Sequence, residues 1–155
     1  MIKFRILNYV LVLMVALCIL GLLFMTFMLY ALHLRSEEDP EIITLVIIGL
    51  VKVLLLTIAL SFTKQATGTF LRQGYFNAQS ARFLNVAGYT MAASSLVTLV
   101  ANLTEIAYVD RDSLPSYSIE VIYDSTVLLV GLALLGVADI IKKGISIKHE
   151  NDLTI

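Results

Sequence analysis

The sequence predicts an all-α membrane protein with four transmembrane helices and both termini in the cytoplasm. Three observations carry that prediction. Of 155 residues, 59% are hydrophobic and only 15% charged, against about 45–50% and 25% in a water-soluble domain. The mean hydropathy is +0.89. The apolar residues arrive in four long blocks, and the basic residues fall on alternate segments between them. So much apolar surface calls for lipid rather than water around it.

The first block, 6–32, holds no charge and exceeds the roughly 20 residues a spanning helix needs. Lys3 and Arg5 precede it, as in a secretory leader. A leader's apolar region is only about 7–15 residues, and Tyr30, Ala31, Leu32 and His33 offer no small-x-small cleavage site, so we read a retained helix. Pro40 suits the first turn of the next helix, and Glu37, Glu38, Asp39 and Glu41 favour its positive N-terminal end. That second block is long enough to span over 42–62, and the helix continues to about 73. Gly74 reads as its left-handed stop and Asn77 as the N-cap of the third helix.

The third helix, 77–108, is softer, with Asn85, Gly88, Ser94, Ser95, Asn102 and Glu105 inside it. Small and hydroxyl residues at that density mark a face packed against other helices. Pro115 and nearby serines read as a loop over 110–120. The fourth helix is expected over 120–143, and a polar cytoplasmic tail over 144–155. The whole chain is one integral membrane domain.

Charge sets the orientation. With the N-terminus inside, the inner segments hold Lys3, Arg5, Lys64, Arg72, Arg82, Lys142, Lys143 and Lys148. Only Arg35 and Arg111 fall outside, which satisfies the positive-inside rule. The outer loops are acidic.

Lys52 stands near the centre of the second span. A charge there costs about 2.5–3.5 kcal/mol, so it should face the bundle interior and a partner. Depth along the helices assigns it Glu105, with Asn102 one turn deeper joining by hydrogen bond and Asp124 as the rival acid. Such a group is either an ion or ligand site or, more simply, a neutralised structural tie.

The other polar residues carry less. Asp139 with Lys142 and Lys143 reads as a helix-end salt bridge. His33 and His149 fall on opposite flanks, and Cys18 reads as a small packed hydrophobe. One cysteine excludes an internal disulfide and a cysteine-based zinc site. No GxSxG, HExxH or phosphate-binding glycine loop occurs, so no enzyme, metal or cofactor is expected. Net charge −1 gives no basic excess for direct nucleic-acid binding.

The connector joins Arg72, Gly74, Tyr75, Phe76, Asn77 and Arg82. Its arginines suit anionic headgroups and its aromatics the membrane interface. The alternative is a docking surface for a cytosolic protein, shared with a tail whose Ile145, Ile147, Leu153 and Ile155 exceed what a solvated tail requires.

Phe70-x3-Gly74-Tyr75-Phe76-Asn77, followed by Arg82, Leu84 and Gly88, resembles the inter-helix motif of a bacterial membrane family, domain of unknown function 2975. So does the ending Ala138-Asp139-Ile140-Ile141-Lys142-Lys143-Gly144 with Glu150 to Ile155. Tyr75 stands where the family usually has proline. The resemblance implies four membrane helices in the bacterial cytoplasmic (inner) membrane, no assigned catalysis, and frequent encoding beside a small helix-turn-helix regulator. The expected function is therefore a multi-pass regulatory membrane partner of such a regulator. A small oligomeric transporter, channel or resistance protein using Lys52 and Glu105 is the second reading, with a second copy of the chain as its partner. An assembly or scaffold subunit is a third.

Overall fold

A computed structural model describes residues 2–35, 40–74, 77–106 and 114–152. They form α1 (Ile2–Arg35), α2 (Pro40–Gln73), α3 (Ala78–Ile106) and α4 (Leu114–Asp152). All four are long and apolar enough to cross a membrane, so the chain is an all-α, multi-pass membrane protein. In lipid every backbone polar group needs an internal partner, which is why continuous helix is the form these blocks take. The four-helix bundle packs in chain order: α1 against α2, α2 against α3, α3 against α4.

The hydroxyl residues inside α2 obey the same demand. Thr57 donates to the Val53 carbonyl at 2.7 Å, Ser61 to Thr57 at 2.7 Å, Thr63 to Ala59 at 2.9 Å and Thr67 to Thr63 at 2.8 Å. Each side chain so satisfies its polar group within its own helix.

The turn between α2 and α3 forms as its residues predict. Gly74 adopts φ +88°, and its N–H donates to the Phe70 carbonyl at 3.2 Å, closing the left-handed cap. The Asn77 side-chain oxygen accepts from the Gln79 N–H at 2.8 Å, the N-cap bond that opens α3. The Asn77 amide also reaches back to Gln73.

α4 departs from expectation at both ends. It begins at Leu114, so the segment read as loop is helical from there. Pro115 lies in the first turn, where its missing N–H has no intrahelical partner to lose. At the other end the expected tail continues α4 as helix through Asp152. Ile145 is consistent with the continuation: it packs against the hydrophobic cluster described below, and such burial offsets the glycine before it.

α3 and α4 come together backbone to backbone at Gly88 and Gly131. A Cβ on Gly88 would lie 2.7 Å from the Leu135 side chain and 2.8 Å from the Gly131 carbonyl oxygen. One on Gly131 would lie 3.0 Å from the Gly88 carbonyl oxygen. The small-residue face read on α3 is thus used against α4, as close packing in lipid requires.

Candidate functional site: an intramembrane ion pair and a helical head

Three helices converge on one carboxylate. Asp124 of α4 is fully enclosed, and its Oδ1 lies 2.6 Å from the Nζ of Lys52 on α2. Asn102 of α3 donates from Nδ2 to the other oxygen, Oδ2, at 3.2 Å. The Lys52–Oδ1 contact is an ion pair whose direction falls outside hydrogen-bond geometry, so charge rather than a directed bond holds that oxygen. Lys52 keeps 21% of its side chain exposed and lies 5.3 Å from the centroid of the Tyr123 ring, within cation–π range. Ser94 of α3 donates to the Lys52 carbonyl at 3.4 Å, tying the α2 backbone to α3 at the same level.

Lys52 thus pairs with Asp124, the acid the sequence ranked second; the side chain of Glu105, ranked first, lies outside the described residues. The reason is the true start of α4. A helix beginning near 120 puts Asp124 at its outer end. Beginning at Leu114, it carries Asp124 ten residues, roughly 15 Å, down its axis. Lys52 is twelve residues, roughly 18 Å, down α2 from Pro40. The two now stand at matching depth. The chemistry is mutual neutralisation in a low-dielectric region, with the second oxygen satisfied by a neutral amide.

At the opposite end, near the connector, Ala66 of α2, Ala81 and Leu84 of α3, and Ala138 and Ile141 of α4 form a buried apolar cluster. Phe70, Phe83, Leu134 and Ile145 pack against it. Thr69 and Ser80 share a hydrogen bond across the α2–α3 junction. At 39 residues α4 is about 58 Å long, and α2 at 34 residues about 51 Å, while the hydrocarbon core is only about 30 Å thick. Helices longer than the hydrocarbon core accommodate by tilting or by extending past it. Polar residues become frequent after Phe62 and Ile141, and this end of the bundle, built around the cluster, is called the helical head below.

Residues 35–155 match the family described as protein of unknown function (DUF2975). The chain belongs to this family. The matched region contains α2, α3 and α4, and with them the DUF2975 connector, the ion pair and the head. No curated protein and no solved structure matches the chain.

The sequence-predicted residues of this DUF2975 chain divide between the two regions. Lys52 and Asn102 meet at Asp124. Arg72 and Arg82 are exposed on the head, while Gly74 and Asn77 shape the turn between them. Tyr75 and Phe76 of the connector, and Leu153, Thr154 and Ile155 of the tail, lie outside the described residues. Asp139 pairs with Lys142 at 3.1 Å, as its spacing predicts. Sequence reasoning missed Tyr123 as the aromatic seat for Lys52, although its place beside the rival acid was a signal. It also left unassigned the mutual approach of Gly88 and Gly131.

Proposed function

We propose that the protein is a non-enzymatic regulatory partner in the bacterial cytoplasmic membrane, acting by docking a cytosolic protein on its helical head. The carrying observation is that α4 continues unbroken through Asp152, with Ile145 seated in the head cluster and Ile147 58% exposed beside it. A structured, partly apolar projection next to the connector is a contact surface rather than a solvated tail. The positive-inside asymmetry supports a cytoplasmic head with both termini on that side. The family resemblance carried by the connector and the ending makes a helix-turn-helix transcription regulator the partner to seek.

The second reading is a small oligomeric transporter, channel or resistance protein working through Lys52 and Asp124. The observation favouring it is the enclosed ion pair itself, since intramembrane charges mark ion and substrate pathways. Neutralisation within the protein, Lys52 by Asp124 with Asn102 on the second oxygen, weighs towards a structural tie, so we place regulation first.

Crosslinking and recovery from native membranes separates the two. The full chain is compared with one cut after Ser146, which keeps Ile145 in the cluster and removes the projection. A small DNA-binding protein recovered with the full chain and lost with the cut one supports regulation. Recovery of the chain alone as a defined oligomer, together with loss of function in a folded Lys52→Met variant, refutes it and favours transport.

A further inference from the structure

We propose that a layer of basic side chains around the base of the head binds the headgroups of anionic phospholipids. The layer follows from where the apolar runs stop. On α2 the run ends at Phe62 and Lys64 follows; on α3 Arg82 immediately precedes Phe83; on α4 Ile141 is followed by Lys142 and Lys143. The buried cluster fixes the relative heights of the three helices, because Ala66, Ala81 and Ala138 meet in it. At 1.5 Å per residue, Lys64 and Arg82 lie within about 3 Å of that level on the span side. Lys142 and Lys143 lie about 6–8 Å beyond it. All four basic groups thus occupy a band about 10 Å deep, which the roughly 5–8 Å headgroup region of one leaflet covers once the long lysine and arginine stems reach towards it.

All four are exposed. Lys142 holds the carboxylate of Asp139, which is itself exposed in the band. Among the described residues, no carboxylate forms an ion pair with Lys64, Arg82 or Lys143. Three unneutralised cations on three different helices suit a ligand that surrounds the protein in a plane. They suit a single compact ligand less. A leaflet of anionic phosphodiesters is that ligand: the long lysine and arginine stems lie along the ends of the spans while their charges reach the phosphates.

Each basic residue near an anionic leaflet is worth about a fivefold preference. The test uses the full chain in bilayer nanodiscs of mixed phosphatidylglycerol and phosphatidylcholine. The lipids retained on release into mild detergent are counted by native mass spectrometry. The expected result is enrichment of phosphatidylglycerol over the bulk ratio, reduced on the order of a hundredfold in Lys64→Gln/Arg82→Gln/Lys143→Gln. The single Lys143→Gln variant, which leaves the head cluster untouched, should lose roughly fivefold. Circular dichroism confirms that each variant keeps its helices. Equal retention of both lipids by the native chain, or unchanged enrichment in the folded triple variant, overturns the proposal. Displacement of the retained lipid by inorganic phosphate at millimolar concentration also overturns it, because the layer would then hold free anions rather than a lipid surface.

Discussion

Replacing Lys52 and Asp124 separately and together gives the sharpest test of the intramembrane pair. At 2.6 Å and an effective dielectric of about 20, the gross attraction between two unit charges is about 6 kcal/mol. Several kcal/mol per ion were spent in taking these charges out of water, so the net worth of the pair is close to zero. The loss of one partner is a different matter. Lys52→Met leaves a fully enclosed carboxylate with only the Asn102 amide, and should destabilise the fold by about 3–5 kcal/mol. Asp124→Leu leaves an ammonium that is already one-fifth exposed, rests near the Tyr123 ring and has a flexible stem. Its cost should be about half as large.

The double variant Lys52→Met/Asp124→Leu removes both charges and fills the space with apolar side chains. It should return to within about 1 kcal/mol of the native stability, or exceed it. The assay is reversible unfolding in mixed micelles followed by far-ultraviolet circular dichroism, because the chain has no tryptophan for fluorescence. Recovery in the double variant is the signature of direct coupling. If the two single losses simply add, Lys52 and Asp124 do not hold one another and the site as described is wrong.

The two glycine environments predict opposite signs. Gly88→Ala forces a methyl into Leu135 and the Gly131 carbonyl, and should cost about 1–3 kcal/mol in the same unfolding assay. Gly136→Ala meets no atom within 4 Å and should gain up to about 1 kcal/mol from helix propensity. At the turn, Gly74→Ala places a Cβ at φ +88° and should cost about 1–2 kcal/mol, measured as a lowered thermal midpoint. Asn77→Ala removes the oxygen that accepts from Gln79, and should cost about 1 kcal/mol with faster hydrogen exchange at the start of α3.

The sequence made the spans legible because the lipid requirement is written residue by residue: an uncharged block such as 6–32 has one backbone solution. The α2–α3 turn was legible for the same local reason, since Gly74 and Asn77 each carry their own conformational preference. The limits of α4 were not. Pro115 is compatible with both a loop and a first helical turn, and only the surrounding packing decides. The stretch after Lys143 is polar enough to read as tail, and its helicity goes with Ile145 packing against a cluster drawn from three helices, which local sequence does not show. That error carried into the site. With the start of α4 set too late, Asp124 stood too near the surface, and Glu105 took its place.

The division of polar and apolar contacts along the bundle follows from the change of solvent along its length. Within the span, lipid tails are as apolar as leucine, so burying leucine between helices gives little net force. Association there relies on the Gly88–Gly131 approach and on polar ties: Ser94 to the Lys52 carbonyl, Asn102 to Asp124, and Asp124 to Lys52. On the proposed placement, the head rises from the headgroup region into water, where apolar burial is favourable again. The clustering of Ala66, Leu84, Ile141 and Ile145 at that end is what this shift requires. The two regions are therefore separable by perturbation. Denaturants that act through water should loosen the head before the span, exposing amides near Ile145 to exchange while those near Asp124 stay protected. Simultaneous exchange at both would mean that the head and the span unfold as one unit, and that the ion pair reports on the docking surface directly.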